Sequence, residues 1–369
     1  MSNILKNILP KYAELLVNYC LELKKGDRLF IHTTTLAEPL AKEVWRYAIR
    51  AGAFVETELD FEGKQKIFMQ EASEAQLKKV SDWEMDAMSN FDAYLSIRAP
   101  FSLKQSEEID QQKLNLRNEA LAPLNKIYFE RIADRRLKRC LCQYPTQANA
   151  DEAGMTLEAY QHFVFDACNL FEDHPMESWL KVRAEQQKIV DFLNIKSEIQ
   201  YKGTNIDITF NTKGRTWINS DGRNNMPSGE VFTSPIEDSV NGHIHFSFPG
   251  IHGGKAVEGV TLWVKDGYIE RWDAQEGKDY LDQIFKIPGT RRFGEAAIGT
   301  NYKIQQITKN ILFDEKIGGS VHMAIGQSYL QCGGKNESSV HWDMITDMKN
   351  GGEIFADGEL IYKNGVFTL

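Results

Sequence analysis

The sequence predicts an α/β N-terminal domain with a mostly parallel sheet, followed by an α+β, β-rich C-terminal domain. In the first half, short apolar segments alternate with longer segments of helical periodicity, which is typical of parallel sheets. In the second half, apolar and polar residues alternate with a period of two between hairpin-forming dipeptides. A chain of 369 residues with 42% apolar content has material for two cores. We place the boundary near Ile195, which gives domains of residues 1–195 and 196–369.

The N-terminal domain is predicted to begin with an amphipathic helix, because apolar residues recur at spacings of three and four from Leu5 to Cys20. A βαβ unit follows, with strands over residues 27–35 and 54–61 and a helix that ends at Gly52. The later elements of this alternation are strand candidates at 91–100 and 140–146 and helix candidates at 110–139, 157–171 and 177–194.

The C-terminal domain is predicted to be mainly β-structure. Its alternating pattern begins in residues 197–214. Type I′ turns require positive φ at both central residues, which favours Asn-Gly and Asp-Gly. Dipeptides of this kind lie between alternating segments at Asp266-Gly267, Asp357-Gly358 and Asn364-Gly365. We therefore expect a β-hairpin at each.

Composition limits the partners that we expect. A net charge of −9 argues against nucleic acid, whose binding depends on many Lys and Arg contacts with phosphates. No uncharged apolar segment approaches the roughly 18 residues that a membrane span needs, so we expect no membrane association. The five cysteines form no CxxC pair, and their odd number does not suit a secreted disulfide framework. We expect reduced thiols and a cytoplasmic protein.

Several motifs for common chemistries are absent from the sequence. No GxGxxG follows the first predicted strand, and the segments GIHGGK and CGGK miss the spacing of a P-loop. Neither GxSxG nor HExxH occurs. Any metal site must therefore be assembled from ligands that are dispersed along the chain.

One candidate pair of ligands lies in the strand-like segment SSVHWDMIT. The period of a strand places His341 and Asp343 on one face, and Trp342 and Met344 on the other, where they can pack against a core. The imidazole and the carboxylate then lie about 6 to 7 Å apart, close enough to bind one or two divalent ions. Taken alone, such a pair is more often structural.

Further candidates occur in the same half of the chain. His322 and Tyr329 lie in GGSVHMAIGQSY. Three glutamates lie beside turn residues: Glu230 in NMPSGEVFTSP, Glu295 in RRFGEAAIGTN and Glu315 in ILFDEKIGG. Each of these residues alone is more often a core or solvated side chain. Only their combination and order indicate a site.

In that order, the segments resemble the M29 family of metallo-aminopeptidases. The resemblance rests on PSGEVFTSP, FGEAAIGTN, HMAIGQSY and HWD, and it extends to YPTQANADEAGMTLEAYQHFVFDAC in the first half. It implies an α/β N-terminal domain, a metal-binding catalytic C-terminal domain, two divalent metal ions and a homodimer that encloses the active sites.

The resemblance also implies roles for single residues. The implied metal ligands are Glu230, Glu295, His322, His341 and Asp343. Tyr329 is the implied catalytic tyrosine. Glu315 is a candidate sixth ligand, although its spacing to His322 is longer than in the better-known members.

The implied reaction removes N-terminal residues from peptides with a free N-terminus, by water that two metal ions activate. Glu295 is our candidate for the ligand that bridges both ions, because a carboxylate has two oxygens. Glu230 has two open roles, as a ligand or as the acceptor of the water's proton. Tyr329 would donate its hydroxyl to the tetrahedral oxyanion. The ligand types admit Zn²⁺, Co²⁺, Mn²⁺ or Mg²⁺.

Two other functions remain open. Arg291 and Arg292 lie beside Glu295, which permits a two-metal phosphoesterase. A metal-holding binding protein on the same scaffold is the other alternative. A second set of possible zinc ligands occurs in NGHIHFSFPGIHGG, namely His243, His245 and His252. These histidines match no ligand of the family, so we expect them to be structural or to line the substrate site.

Overall fold

The computed structural model describes residues 3–103 and 109–369. The chain forms two compact units: Met1–Ser178 with Gly222–Pro227, and Trp179–Asp221 with Ser228–Leu369. The predicted boundary at Ile195 follows the last helix before the β-rich region, whereas the second unit begins near the start of that helix. Val190 and Leu193 of this helix belong to the apolar core of the second unit. The helix therefore packs with the β-rich part of the chain.

Within the described residues the α-helices are α1 (Asn3–Glu14), α2 (Glu38–Arg50), α3 (Lys64–Glu71), α4 (Glu74–Lys78), α5 (Asp82–Asn90), α6 (Gln111–Ala133), α7 (Gln147–Glu152), α8 (Leu157–Ala167), α9 (Pro175–Asn194), α10 (Lys278–Ile284) and α11 (Ile311–Asp314). A π-helical segment, Leu15–Cys20, continues α1, and 3₁₀ turns occur at Thr35–Ala37 and Leu330–Cys332.

The strands of the first unit are β1 (Arg28–Thr34), β2 (Phe54–Asp60), β3 (Ala93–Arg98), β4 (Lys138–Gln143) and β8 (Asn225–Met226). Those of the second unit are β5 (Glu198–Gly203), β6 (Ile206–Asn211), β7 (Ile218–Ser220), β9 (Glu230–Thr233), β10 (Asn241–His245), β11 (Gly250–His252), β12 (Lys255–Val257), β13 (Thr261–Lys265), β14 (Tyr268–Asp273), β15 (Phe293–Gly299), β16 (Ser320–Gly326), β17 (His341–Asp347), β18 (Glu353–Ala356), β19 (Glu359–Lys363) and β20 (Val366–Phe367).

The sheet of the first unit is parallel, with the strand order β2-β1-β3-β4-β8. Leu29, Phe30 and Ile31 of β1 are all buried, as expected for a strand that helices cover on both faces. The predicted parallel α/β domain and its first βαβ unit are confirmed. The amphipathic N-terminal helix is also present, with Leu9 and Tyr12 buried.

The second unit contains two larger sheets and one small two-stranded sheet. An antiparallel sheet has the order β14-β13-β10-β6-β5-β18-β19-β20, a second has the order β17-β16-β15-β9-β7, and β11 pairs with β12. The three predicted hairpins are confirmed. At each, both turn residues have positive φ: 48° and 73° at Asp266-Gly267, 48° and 78° at Asp357-Gly358, and 49° and 86° at Asn364-Gly365.

The five cysteines are all buried and carry free thiols. Cys140 and Cys142 lie on the same, buried face of β4. No described helix combines the length and the apolar character that crossing a lipid bilayer requires.

Candidate metal centre

Four neighbouring strands of the five-stranded sheet in the second unit carry five of the predicted ligands. Glu230 begins β9, Glu295 lies in β15, His322 lies in β16, and β17 contributes His341 and Asp343. Directly paired residues of neighbouring strands point to the same face of a sheet. Across the strands the ligands pair with small residues: Glu295 and Asp343 with Ala324, His322 with Ala297, Glu230 with Gly299, and His341 with Gly326. The candidate ligands therefore share one face, and these alanines and glycines leave room between them, although Phe232 and Ile345 lie on the same face.

Three of these side chains form a first group. Nε2 of His322 lies 3.5 Å from Oε2 of Glu230 and 3.7 Å from Oε1 of Glu295. All three residues are buried. Ligands of a tetrahedral ion with bonds of about 2.0 to 2.2 Å lie roughly 3.4 Å apart. The spacing of this group therefore suits a single divalent ion.

A second group shares Glu295 with the first. Nε2 of His341 lies 3.1 Å from Oε2 of Glu295 and 3.5 Å from Oδ1 of Asp343. Nδ1 of His341 lies 2.7 Å from the carbonyl oxygen of Gln327, to which it can donate a hydrogen bond. That bond leaves Nε2 available to a metal ion, which is the usual arrangement of a ligating histidine.

Glu315 and a neighbouring lysine complete the cluster. Ligand atoms of Glu315, His322 and Asp343 lie within 4.8 Å of one another. Nζ of Lys316 lies 2.6 Å from Oε1 of Glu230 and also contacts Oε1 of Glu315. The lysine side chain is only 1% exposed. The cluster thus contains four carboxylates, two imidazoles and one buried ammonium group.

Several buried atoms of the cluster have unmet hydrogen-bonding capacity. Oε2 of Glu230, both ring nitrogens of His322 and Oδ1 of Asp343 have no hydrogen-bond partner among the described residues. Buried polar atoms are normally hydrogen-bonded, and an exception needs a physical reason. Oxygen and nitrogen donors that converge without protein partners are what a divalent cation requires. The residues therefore fit a divalent metal ion.

In the metal-free cluster, the carboxylates favour the protonated form of both histidines. Burial alone would lower the pKa of both histidines, but the facing carboxylates outweigh it. Glu295, Glu230 and Asp343 raise the pKa of His322 to about 9. Asp343 and Glu295 raise the pKa of His341 to about 12. Burial raises the pKa of Glu315 to about 8, although Lys316 opposes that shift.

Tyr329 lies at the edge of the cluster in the loop after β16. Its ring centroid is 5.0 Å from that of His341 and 5.2 Å from that of Phe232, and its backbone N–H donates to Oγ of Ser234 at 3.2 Å. The side chain is 37% exposed. Glu295 and burial hold the pKa of the phenol well above its ordinary value. The hydroxyl is therefore a neutral hydrogen-bond donor on a partly exposed residue.

The competing histidines lie outside these groups. His243 and His245 are in β10, a strand of the eight-stranded sheet. Nδ1 of His245 lies 2.9 Å from Oγ1 of Thr261, and Nδ1 of His252 lies 2.8 Å from the hydroxyl of Tyr280. In the described part of the chain, none of the three belongs to a group with metal-ligand spacing. Their structural role stays a prediction.

The two arginines beside Glu295 are engaged elsewhere. Nε of Arg291 donates to the carbonyl oxygen of Ile269, and its guanidinium lies over the ring of Tyr268. Arg292 donates to the carbonyl oxygen of Glu237. Neither contact is directed at the carboxylates of the cluster.

Lys316 is the member of the cluster that the sequence analysis missed. Lysine is mostly exposed in proteins, so a single lysine carries no signal for burial. A signal was nevertheless present in ILFDEKIGG, because Lys316 directly follows a candidate ligand and precedes two glycines.

Trp342 and Met344 are buried, as predicted for the opposite face of β17.

Comparisons with known proteins agree over almost the whole chain. The sequence pattern of the family described as "Thermophilic metalloprotease (M29)" matches residues 5–367. The chain is 26% identical to Aminopeptidase 2 of Geobacillus stearothermophilus, over 91% of each chain. It is also 26% identical to Aminopeptidase T of Thermus thermophilus, over 98% of this chain and 97% of that protein.

A solved structure has the same fold. Wild-type AmpT from Thermus thermophilus superposes with a TM-score of 0.85, covers 99% of this chain and 100% of its own, and is 24% identical in sequence. The fold, the convergent donor atoms and the length of the family match lead to one assignment. This chain belongs to the M29 family of thermophilic metalloproteases, and it is a peptide hydrolase.

Proposed function

We propose that the protein is a metal-dependent aminopeptidase that removes N-terminal residues from peptides. The observation that carries the proposal is the position of Glu295, whose two oxygens face two different histidines, His322 on β16 and His341 on β17. Relatives over nearly the full length of the chain are named aminopeptidases, which supports the same activity.

The proposed ligands are Glu230, Glu295, His322, His341 and Asp343, with Glu315 as the sixth candidate. Glu295 would be the ligand that the two ions share, because its Oε1 belongs to the group around His322 and its Oε2 to the group around His341. Three carboxylates and two imidazoles accept hard and borderline ions, so Zn²⁺, Co²⁺, Mn²⁺ and Mg²⁺ are the candidates.

Divalent ions in such a site supply a Lewis acid for the substrate carbonyl and a water that is nucleophilic near neutral pH. Oε1 of Glu230 is engaged by Lys316, so only Oε2 is free. Two roles therefore compete for one oxygen of Glu230, ligation and acceptance of the water's proton. A free amine on the substrate could ligate one of the ions, whereas an acylated nitrogen could not, so the site would favour an unblocked N-terminus.

Tyr329 is the proposed donor to the oxyanion that forms when the scissile carbonyl becomes tetrahedral. The high pKa keeps its hydroxyl protonated. A neutral donor that is fixed before the reaction stabilises charge that develops only in the transition state.

A substrate panel tests the proposed activity. The metal-free protein is loaded in turn with each candidate ion and assayed on leucine and alanine p-nitroanilides, on N-acetyl-leucine p-nitroanilide and on p-nitrophenyl phosphate. We expect metal-dependent release from the free-amine substrates only. Hydrolysis of the phosphate would favour the phosphoesterase alternative. Metal binding without any turnover would favour the binding protein.

Metal uptake is expected to release protons. The raised pKa values of about 9 for His322 and about 12 for His341 mean that both imidazoles are protonated at pH 7 in the metal-free protein. Nε2 can ligate only after its proton leaves, so affinity falls as the pH falls. We expect calorimetric titrations at pH 7, in buffers of different ionisation enthalpy, to show release of about one to two protons per site. An enthalpy that is independent of the buffer would contradict this prediction.

We also propose that the enzyme is a cytoplasmic homodimer. Five buried free thiols support a reducing compartment. The dimer rests on the resemblance to the family. Light scattering coupled to size-exclusion chromatography tests it, and a mass of 42.2 kDa in solution, that of one chain, would contradict it.

A further inference from the structure

The most unusual member of the cluster is Lys316. Lysine is almost never fully buried unless its charge is compensated. Here the ammonium group has two carboxylate partners, Oε1 of Glu230 at 2.6 Å and Oε1 of Glu315. Both partners also have atoms in the groups with metal-ligand spacing. The lysine is therefore a permanent cation inside a site whose other charged groups suit divalent cations.

The backbone holds this lysine in place. The carbonyl oxygen of Lys316 accepts a hydrogen bond from the N–H of Asn301 at 3.0 Å, and the side-chain amide of Asn301 donates to the carbonyl oxygen of Ser228 at 2.9 Å. Gly229 has a φ of 118°, and a Cβ at this position would lie 2.8 Å from Cβ of Asn301. One packed network thus connects Lys316 to the residues that directly precede Glu230.

Because of the lysine, the two oxygens of Glu230 have different environments. Oε1 accepts from the ammonium group. Oε2 has no hydrogen-bond partner within the described residues and lies 3.5 Å from Nε2 of His322. A carboxylate held in this way presents one oxygen to a metal ion and cannot rotate to present both.

We propose that Lys316 is a positioning residue of the metal centre, a built-in monovalent cation that takes one oxygen from Glu230 and one from Glu315 and leaves each carboxylate a single oxygen for metal. The inference rests on the proposed function, because it requires the cluster to bind divalent ions. Like charges in a buried site repel strongly. Lys316 therefore weakens metal binding in exchange for a fixed orientation of Glu230.

This role predicts an effect that a purely structural lysine would not produce. Loss of a structural lysine loosens the site and weakens metal binding. Loss of the proposed cation removes a repulsion and frees two oxygens, so metal should bind more tightly. The direction of the change in affinity separates the two roles.

The test compares four proteins: the wild type, Lys316→Met, Lys316→Gln and Lys316→Arg. Metal dissociation constants are measured by competition with a chromophoric chelator for Zn²⁺ and Mn²⁺, and melting temperatures are measured with and without metal. Methionine retains the length of the side chain without the charge, glutamine retains a hydrogen-bond donor without the charge, and arginine retains the charge.

We expect Lys316→Met to bind metal at least tenfold more tightly than the wild type, with a lower melting temperature without metal and a larger gain on metal addition. Turnover of Lys316→Met at saturating metal should fall. Lys316→Arg, which keeps the charge, should bind metal with the wild-type affinity. If Lys316→Met does not fold, Lys316→Gln gives the same comparison. Equal or weaker binding by the uncharged variants would overturn this inference alone. A wild-type protein that bound no divalent ion would overturn the proposed function as well.

Discussion

Tyr329→Phe is expected to lower kcat about 10²- to 10³-fold, the usual effect of removing one donor to a developing oxyanion. Phenylalanine retains the ring that contacts Phe232 and His341, so the loop and the ligands should keep their positions. Steady-state kinetics on leucine p-nitroanilide measure the loss. Metal content, determined by atomic emission on the same samples, should equal that of the wild type.

The matched control is Tyr268→Phe, which removes another phenolic hydroxyl from a residue of β14 that is 42% exposed. This variant should retain the wild-type kcat and metal content. If Tyr329→Phe behaved like Tyr268→Phe, the assigned role of Tyr329 would be wrong.

The second large effect is expected for Glu295→Gln. Glutamine has the size of glutamate, but it replaces one oxygen by a donor that cannot ligate a metal, so the proposed bridge is lost. Removal of an outer partner of a metal ligand already costs about 10- to 100-fold in affinity. We therefore expect at least about a 100-fold loss of metal affinity, and activity close to background at metal concentrations that saturate the wild type.

The histidines of β10 provide the control for this experiment. His243→Ala combined with His245→Ala removes two imidazoles outside the cluster and should leave metal affinity unchanged. If this double variant lost metal and Glu295→Gln retained it, the metal site would have to be assigned to the eight-stranded sheet.

The fold could be predicted where the local pattern and the tertiary structure agree. β1 contains the apolar run Leu29–Ile31, and the three Asn-Gly and Asp-Gly turns specify their own backbone conformation. Helices α3 and α4 were not predicted. Each buries a single residue, Met69 in α3 and Leu77 in α4, and so shows no helical period of apolar residues. The short strand β8 pairs with β4, which lies far away in the sequence, so no local pattern predicts this contact.

The candidate site shows the same division between local and distant information. The alternation around Trp342 was enough to place His341 and Asp343 on one face. The convergence of Glu230 and His322 depends on the order and register of the strands, and only the resemblance to a family indicated it from the sequence. The contact of Lys316 with Glu230 depends on where the chain returns after α11, which no local pattern specifies.

The central claim is that residues between Glu230 and Asp343 form a two-metal centre around Glu295. Its most direct test is a crystal structure of the protein loaded with Zn²⁺ or Mn²⁺, with diffraction data collected on both sides of the metal's absorption edge. We expect two anomalous peaks about 3.5 to 4 Å apart, each bound to one oxygen of Glu295, one next to His322 and the other next to His341. A single peak, or peaks next to His243 and His245, would contradict the account.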